Sequence, residues 1–300
     1  KKQKSMHSKS AKAGKKASVI FIKAFLVCLL AAGVIGLCAG IGIVKGVIDN
    51  APDIDSTSVI PRGYKSVMVD SDGNKMAELI TAGSNRVWVD IDNIPEHVQK
   101  AFVDVEDERF YKHNGIDLKG IIRAGMKGIA SGFRKTEGAS TITQQLLKNS
   151  VFDFMSEDTL VEKIERKLQE QYLALELEKI MTKDEILEAY LNTINLGQNT
   201  LGIQAAANRY FNKDVSELSV SEAAVIAGIT KSPTKYNPVT DPEENAKRRE
   251  IVLVDMKKCG DISEEEYQEA MADDVYDRIQ TTNETKSSAS VYSYYVDATI

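Results

Sequence analysis

Two blocks between Ala101 and Asn149 decide how this sequence folds and where its chemistry lies. The first reads EDERFYKHNG over residues 106–115, and the second reads GASTITQQLLKN over residues 138–149. The first block places several ionisable groups at the end of a predicted helix. The second places small and hydroxylated residues before two amides and a lysine, a composition suited to binding sugar hydroxyls and phosphate. We expect the rest of the chain to carry these blocks to a membrane or to supply groups that face them.

A helix is predicted from Pro95 to about Arg109, because proline suits the first helical turn. At 100° per residue one face of this helix is apolar, with Glu106 and Glu108 on its two borders and Asp107 pointing away. A border carboxylate loses part of its hydration, which equips it for proton transfer. The spacing does not choose between Glu106 and Glu108, and a solvated acidic helix end has the same pattern. The apolar face consists of Val98, Ala101, Phe102 and Val105.

A later helix, predicted from about Asp158 to Lys179, carries a second charged cluster. Four charged residues fall on one side of it at spacings of three and four: Lys163, Arg166, Lys167 and Glu170. Ordinary surface ion pairing gives the same pattern at little energetic gain. The functional alternative is a cationic wall that binds pyrophosphate and contains one carboxylate that stays ionised. A different carboxylate would then transfer the proton, which is the division that acid/base chemistry on a sugar needs. The same helix carries a predicted apolar stripe of Leu160, Ile164, Leu168 and Leu175.

Residues 24–44 form an uncharged run of 21 residues between Lys23 and Lys45, rich in Leu, Ile, Val, Ala and Gly. As a helix this run spans roughly the 30 Å hydrocarbon core of a bilayer. The first 16 residues carry seven lysines and no acid, so the net charge of −6 for the whole chain leaves −13 for the rest. The positive-inside rule predicts a single-pass cell-membrane protein with a cytoplasmic N-terminus and an extracytoplasmic catalytic domain. A cleaved signal peptide is the alternative, although the run is long for one.

The charge pattern and the predicted elements divide the chain into five segments. They are a basic cytoplasmic tail at 1–23, a transmembrane anchor at 24–44, a juxtamembrane linker at 45–62, the principal domain at 63–280 and a second linker at 281–300. A domain as acidic as the principal one is a poor candidate for nucleic-acid binding. Cys28 and Cys38 lie in the anchor and Cys259 stands alone, so we expect no disulfide framework.

The principal domain is predicted to be mainly α, after a small β element. Residues 64–80 are typical of a hairpin, and residues 86–89 are predicted to form a third strand. Ser219 and Glu222 have the spacing of a capping box at the start of one helix. Further helices are predicted at 118–130, 140–149, 183–192, 200–209, 220–229, 242–256 and 262–272.

Five motifs follow one another between Glu106 and Pro238. The first comprises Glu106-Asp107, Phe110, His113 and Gly115, and the second is GASTITQQ at 138–145 with Lys148 and Asn149. The third is RKLQE at 166–170, and the fourth comprises ILEAYLN at 186–192, Gly197 and GIQAA at 202–206. The fifth comprises EAA at 222–224, Ala227-Gly228 and SPTKYNP at 232–238. In this order the motifs resemble glycosyltransferase family 51, the peptidoglycan polymerase half of class A penicillin-binding proteins.

The resemblance implies a lysozyme-like helical glycosyltransferase fold, with a membrane-dipping part near residues 118–160. It implies a hexosyltransferase of cell-wall biogenesis that polymerises lipid II, an undecaprenyl-pyrophosphoryl disaccharide-pentapeptide, into β-1,4 glycan strands. The reaction proceeds with inversion, and undecaprenyl pyrophosphate leaves. A transpeptidase domain is expected beyond Ile300, so that the natural protein would be bifunctional.

The resemblance also implies roles for individual residues. Glu106 is the expected general base, which removes the proton from the 4-hydroxyl of the acceptor's GlcNAc, and Glu170 is expected to order the pyrophosphate end of the site. Three cations are expected to neutralise the pyrophosphate: Lys148, Arg166 and Lys167. Four polar residues are expected to hydrogen-bond the donor sugar and phosphate: Ser140, Thr141, Gln144 and Gln145. Four more are expected to support the site: Asp107, Phe110, His113 and Asn192.

The expected partners are lipid II, the growing glycan strand, the membrane, and cell-division or elongation proteins, with no nucleic acid. The resemblance implies a dependence on Mg2+ or Mn2+ without a tightly bound cofactor, and no carboxylate or histidine cluster in the sequence specifies a metal site. Residues 232–235 satisfy the Ser-x-x-Lys pattern of penicillin-reactive serines. They lie inside the fifth motif and no Lys-Thr-Gly occurs in the chain, so we do not interpret Ser232 as a nucleophile.

Two rival functions belong to other classes. A lytic muramidase would share the fold and use one glutamate as an acid, but cleavage of a neutral glycan needs no phosphate-binding cations. A non-catalytic cell-wall scaffold would need no complete set of motifs. Both rivals are therefore weaker than a peptidoglycan glycosyltransferase.

Overall fold

A computed structural model of the chain describes residues 2–61, 66–69, 71, 75–79, 86–131, 138–152 and 159–281. The chain forms two units, Lys1–Ala51 and Pro52–Ile300. The predictions for the hairpin turn, for the loop after Ser131 and for the linker at 282–300 lie outside the described residues.

The first unit is one helix, α1 (Lys2–Asp49), which contains the predicted anchor. Its part from Phe21 to Asp49 is long and apolar enough to cross a membrane. Apolar side chains along this part are exposed, Leu30 and Ile35 each to 69 %. Exposed apolar side chains are suited to a lipid environment. A helix can lie in lipid because its backbone polar groups are hydrogen-bonded within the helix. The prediction of one apolar N-terminal helix is confirmed.

The second unit begins with a two-stranded antiparallel sheet of β1 (Ser66–Val69) and β2 (Lys75–Leu79), which confirms the predicted hairpin. The third strand predicted at residues 86–89 is wrong, since the described residues 86–90 form no strand. The side chain of Asn192 takes the place of a strand partner. Its Oδ1 accepts from the backbone N of Val89 at 2.9 Å, and its Nδ2 donates to the carbonyl oxygen of Val89 at 2.8 Å. Asn192 thereby braces an extended backbone.

Within the described residues the second unit continues with nine α-helices, which confirms the mainly α fold class. They are α2 (Glu96–Glu106), α3 (Leu118–Ala130), α4 (Ile142–Ser150), α5 (Leu160–Ile180), α6 (Lys183–Thr193), α7 (Ile203–Phe211), α8 (Val220–Ile229), α9 (Pro242–Cys259) and α10 (Glu264–Ala272). The predicted capping box of α8 is confirmed, because the Ser219 hydroxyl accepts from Glu222 N and the Glu222 carboxylate accepts from Ser219 N.

The core of the second unit is built around α8, which is buried from Ser221 to Ile229. Alanine, valine and isoleucine cover most of its faces, so other helices can surround it. Helices α2 and α9 pack against α8, and α4 packs against α5 and α6. The last residue of α2, Glu106, contacts Thr230 just after α8. Two helix ends therefore meet at the carboxylate predicted as the base.

The apolar stripe predicted on α5 does not lie in the core: Leu160, Ile164 and Leu175 are 72, 52 and 40 % exposed, and Leu168 is half-buried. The apolar residues of α5 that do lie in the core include Leu173 and Leu177, which are outside the predicted stripe. Helix α5 has 21 residues and its neighbour α4 has nine, so α4 covers only a part of α5. Periodicity predicts an apolar face but not the length over which a neighbour covers it.

One acid on α2 is buried without a full set of partners. Asp104 is 6 % exposed, and its Oδ2 has no hydrogen-bond partner among the described residues. Polar atoms of Cys259 and Asp261 lie within 4.8 Å of its carboxylate. Burial, and then the charge of Asp261, raise the pKa of Asp104 to about 7. Lys100 Nζ is 2.9 Å from Asp261 Oδ1, so its positive charge offsets the negative charge of Asp261 more than that of Asp104.

The raised pKa of Asp104 predicts that stability falls as the pH rises from about 4 to about 7. In that window the folded chain holds a proton that the unfolded chain has released. Asp104→Asn removes the ionisable group and keeps its shape. We expect it to abolish the decline and to raise the free energy of unfolding at pH 7.5 by on the order of 2 kcal/mol. Denaturant unfolding at pH 4.5 and pH 7.5 measures both effects, and an equal pH dependence of parent and variant contradicts the prediction.

Candidate active site

Asp107 joins the two sequence blocks. Helix α2 ends at Glu106, before the predicted Arg109, and Asp107 leaves it with φ −156° and ψ 67°. The prediction that Asp107 points away is therefore wrong: it turns inward and is 6 % exposed. Its Oδ2 accepts from the backbone N of Ile142, at the start of α4, at 3.0 Å, and His113 Nε2 lies 3.0 Å from both carboxylate oxygens. A negative charge is stabilised at a helix N-terminus, so Asp107 fixes where α4 begins.

Two neutral groups hold the half-buried carboxylate of Glu106. Gln145 Nε2 donates to Oε2 at 2.8 Å, and Thr230 Oγ1 donates to Oε1 at 2.6 Å. The Tyr190 hydroxyl lies 3.4 Å from Gln145 Oε1. Burial, and then the charges of Glu106 and Asp107, raise the pKa of Tyr190 well above its usual value, so this hydroxyl stays protonated. A carboxylate held by neutral donors can accept a proton without displacing a cation.

Glu108 lies in a different electrostatic environment. Hydrogen bonds from Lys258, with Nζ 2.9 Å from Oε2, and from Arg123 lower the pKa of Glu108 to about 2. A carboxylate between two cations is a weak base. The sequence left Glu106 and Glu108 as alternatives, and these contacts favour Glu106 as the group that accepts a proton.

A second charged cluster lies on α5. Glu170 is 1 % exposed, and its carboxylate pairs with Arg166 and, at 2.7 Å, with Lys167 Nζ. Lys167 Nζ also donates to Ser140 Oγ at 3.0 Å and to Gln144 Oε1 at 3.3 Å. A buried carboxylate requires such compensation, because removing one partner leaves an unpaired charge. Glu170 therefore fixes both cations beside the start of α4.

Helix α4 connects Glu106 to the cations on α5. Gln144 contacts Lys167, and the next residue, Gln145, contacts Glu106. Thr141 caps the helix: its hydroxyl accepts from Gln144 N at 3.2 Å and donates to the carbonyl oxygen of Gly115 at 2.7 Å. Thr141 and Gln144 are each 1 % exposed, so their bonds hold the site together. The other predicted ligand-binding residues of this segment are half-buried, namely Ser140, Gln145 and Lys148.

The turn between α2 and α3 is fixed by close packing. Gly115 has φ 83°, and a Cβ there would lie 2.5 Å from the carbonyl oxygen of Ala174. Only glycine allows this approach to α5. Phe110 is fully buried, with its ring edge-on to His113 at a centroid distance of 6.3 Å. These contacts hold the His113 ring on Asp107.

Comparison with known proteins assigns this arrangement to a family. The family model described as Transglycosylase matches residues 72–257, which contain both sequence blocks and the cluster on α5. The chain belongs to the transglycosylase family. The predicted relation to the polymerase half of class A penicillin-binding proteins is thereby confirmed.

Curated relatives of the transglycosylase are longer proteins. Penicillin-binding protein 1A of Clostridium perfringens (strain 13 / Type A) is 39 % identical over 284 residues, which cover 92 % of this chain and 41 % of that protein. Penicillin-binding protein 1A/1B of Bacillus subtilis (strain 168) is 39 % identical over 300 residues, which cover 99 % of this chain and 32 % of that protein. Penicillin-binding protein 1F of the same strain is 45 % identical over 201 residues, which cover 67 % of this chain and 27 % of that protein. The chain spans less than half the length of each.

Two residues that sequence reasoning did not single out lie at the transglycosylase's site. Thr230 contacts Glu106, and Lys231 Nζ lies 4.0 Å from the position that a Cβ on Gly138 would occupy. Both fall between two pieces of the fifth motif. Thr230 and Glu106 are 124 positions apart, and no periodicity relates residues on two different helices. Only the contact itself identifies them.

Neither glutamate of the candidate site is arranged as a metal ligand within the described part of the chain. Among the described residues, the carboxylates of Glu106 and Glu170 are held by neutral donors and by cations respectively. The described group that comes nearest to a metal ligand set is Asp104, Cys259 and Asp261, and Lys100 already pairs with one of its acids. The dependence on Mg2+ or Mn2+ stays a prediction of the resemblance.

Glu108→Gln is expected to lower stability at neutral pH. Lys258 and Arg123 are largely exposed, so the two ion pairs together are worth about 1 kcal/mol, which corresponds to a melting temperature lower by about 3 °C. The depressed pKa of Glu108 makes this contribution present above about pH 4.5 and lost as the pH falls towards 2. Melting curves of parent and variant at pH 7 and pH 3 test this. A difference in melting temperature between parent and variant that is larger at pH 3 than at pH 7 contradicts this contribution of the Glu108 ion pairs.

Proposed function

We propose that the transglycosylase polymerises lipid II into β-1,4 glycan strands for the bacterial cell wall. The observation that carries this proposal is one short helix, α4, which places a base held by neutral donors beside cations held by a buried carboxylate. Gln145 contacts Glu106, and Gln144 contacts Lys167. A base and a pyrophosphate-binding wall are the two parts that this transfer requires.

In the proposed reaction Glu106 takes the proton from the 4-hydroxyl of the acceptor's GlcNAc. The oxygen attacks C1 of the terminal MurNAc of the growing chain from the face opposite the pyrophosphate. The bond from C1 to the pyrophosphate oxygen breaks, and undecaprenyl pyrophosphate leaves with the bonding electrons. Pyrophosphate is already a good leaving group, so one base, cations and positioning account for most of the catalysis.

The cations have the charge that the leaving group needs. Lys148, Arg166 and Lys167 would neutralise the pyrophosphate, while Glu170 keeps Arg166 and Lys167 in place. Ser140 contacts Lys167 at 3.0 Å and would meet the phosphate or donor sugar there. In this role Glu170 is a positioning residue, because its carboxylate is buried and already paired.

A lytic muramidase is the weaker reading of the same site. Hydrolysis of a neutral glycan leaves no anion for the Arg166–Lys167–Glu170 cluster to bind. Glu108 is also unsuited to serve as a proton-donating second carboxylate, because its pKa of about 2 keeps it ionised. No specific observation favours a non-catalytic scaffold.

We further propose that α3 rests in the membrane interface. Four of its apolar side chains are exposed: Leu118, Ile122, Met126 and Ile129, at 68, 63, 67 and 70 %. Three cations share the helix: Lys119, Arg123 and Lys127. An amphipathic helix of this kind binds anionic lipid surfaces. Such contact would bring the site to the membrane-bound pyrophosphate.

The lysine-rich first 16 residues support an orientation with the N-terminus in the cytoplasm and the second unit outside. Proteins of cell division or of elongation are the proposed partners, on the basis of the resemblance to cell-wall polymerases.

The proposed reaction predicts different effects for two neighbouring glutamates. Purified protein in detergent is incubated with labelled lipid II, alongside Glu106→Gln and Glu108→Gln. We expect long glycan from the parent and from Glu108→Gln, and a loss of at least about 100-fold for Glu106→Gln, because a general base contributes 10²–10⁴-fold. Melting temperatures of all three proteins establish that each is folded.

Other outcomes have definite meanings. A parent that shortens preformed glycan and leaves lipid II untouched would replace the polymerase with the muramidase. Folded protein that acts on neither substrate would favour the scaffold. Loss of activity in Glu108→Gln with activity retained in Glu106→Gln would exchange the roles of the two acids.

The membrane contact of α3 predicts its depth in a bilayer. In a background with Cys28, Cys38 and Cys259 changed to Ser, a spin label is attached at Met126→Cys on α3 or, as control, at Glu269→Cys on α10. We expect the label on α3, in full-length protein in anionic vesicles, to be reached by lipid-dissolved oxygen and the control by a water-soluble nickel complex. Equal access of the nickel complex to both labels contradicts the membrane contact.

A further inference from the structure

The hydroxyl of Thr230 lies between the proposed base and the last turn of α8. Its Oγ1 is 2.6 Å from Glu106 Oε1 and 2.7 Å from the carbonyl oxygen of Ala227. The backbone N of Thr230 also donates to that carbonyl, at 3.3 Å. The same hydroxyl oxygen is therefore within hydrogen-bond distance of both a carbonyl of the buried core helix and the Glu106 carboxylate.

A hydroxyl has one proton to donate and lone pairs to accept with. When Glu106 is ionised, Thr230 can donate to Oε1, in a hydrogen bond strengthened by the negative charge. When Glu106 has taken a proton from the substrate, its own O–H can donate to Thr230 Oγ1. The threonine proton then turns to the carbonyl oxygen of Ala227. Both charge states of Glu106 are satisfied without movement of the backbone.

Gln145 cannot serve both states in this way. Its Nε2 only donates, and it holds Oε2 at 2.8 Å. The fixed donor on Oε2 and the adaptable hydroxyl on Oε1 therefore orient the carboxylate from its two sides. The lone pairs that these donors leave free are the ones open to a substrate hydroxyl.

We infer that Thr230 is the residue that positions Glu106 during catalysis, with a hydroxyl that donates to the ionised base and accepts from the protonated one. This inference rests on the proposed function and adds a residue to it. In the proposed step Thr230 exchanges no proton with the substrate, so it is a positioning residue that acts through its hydrogen bond to Glu106.

The test compares Thr230→Val, which keeps the shape and removes the hydroxyl, with Thr230→Ser, which keeps the hydroxyl and removes a methyl group. Initial rates of lipid II polymerisation by the full chain are measured over a range of lipid II concentrations. We expect kcat of Thr230→Val to fall by about tenfold or more, and KM to stay within about twofold, since a hydrogen bond to a charged group is being removed. Thr230→Ser is expected to stay within about threefold of the parent.

Two controls separate positioning from folding. Thr193, the last residue of α6, is 4 % exposed, and its hydroxyl has no partner among the described residues, so Thr193→Val makes the same chemical change without this contact. It is expected to leave kcat unchanged. If the melting temperature of Thr230→Val is lowered, Thr230→Ala removes the hydroxyl without adding a methyl group. In a Glu106→Gln background, Thr230→Val is expected to cause no further loss.

The inference is overturned if Thr230→Val matches the parent, if Val and Ser variants lose activity equally, or if the loss lies in KM. It is also overturned if Thr230→Val reduces the residual rate of Glu106→Gln as strongly as that of the parent. If the parent polymerises lipid II and Glu106→Gln does not, these outcomes leave the proposed function intact. If the folded parent fails to polymerise lipid II, or if Glu106→Gln retains the polymerisation activity of the parent, the proposed function is overturned and this inference with it.

Discussion

The hydrogen bond from the backbone N of Ile142 to the buried carboxylate of Asp107 is the contact on which the site depends. It fixes the start of α4 against the end of α2, and His113 Nε2 holds the same carboxylate at 3.0 Å. Because the start of α4 is fixed, its first turn directs Gln144 to Lys167 and Gln145 to Glu106. An acid at a helix N-terminus is favourable on its own, which allows one buried charge to organise both halves of the site.

Four carboxylates of the same chemical type take four roles through their surroundings. Asp107 accepts from a helix N-terminus, Glu106 from two neutral donors, Glu108 from two surface cations and Glu170 from two cations that it immobilises. Only Glu106 combines partial exposure with the absence, among the contacts that the structure describes, of a cation on its oxygens. This division of labour is what the proposed transfer to a sugar hydroxyl would require, with one group to take a proton and others to hold positive charge.

Local signals predicted much of the fold. The Ser219–Glu222 capping box and the bounds of α3 at residues 118–130 agree with the structure, because caps and apolar spacing act over a few residues. The third strand at 86–89 was wrong, since the Asn192 side chain, about a hundred positions away, satisfies that backbone. The projection of Asp107 was wrong because α2 ends at Glu106, so Asp107 is not in the helix. The stripe predicted on α5 is not the buried face: Leu160, Ile164 and Leu175 are exposed, and the core is reached by Leu173 and Leu177 instead.

By itself the sequence determined the class of fold, the apolar N-terminal helix and the family, because spacing along a helix and motif identity are local properties. It predicted candidate site residues but did not single out Thr230. Helical spacing left Glu106 and Glu108 equivalent, since both lie on the border of one helix face, and only the family resemblance pointed to Glu106. The tertiary structure favours Glu106 as the proposed base, because it brings Lys258 and Arg123 to Glu108 but Gln145 and Thr230 to Glu106. The basicity of a carboxylate depends on its neighbours in space, and those of Glu106 come from 39 and 124 positions away along the chain.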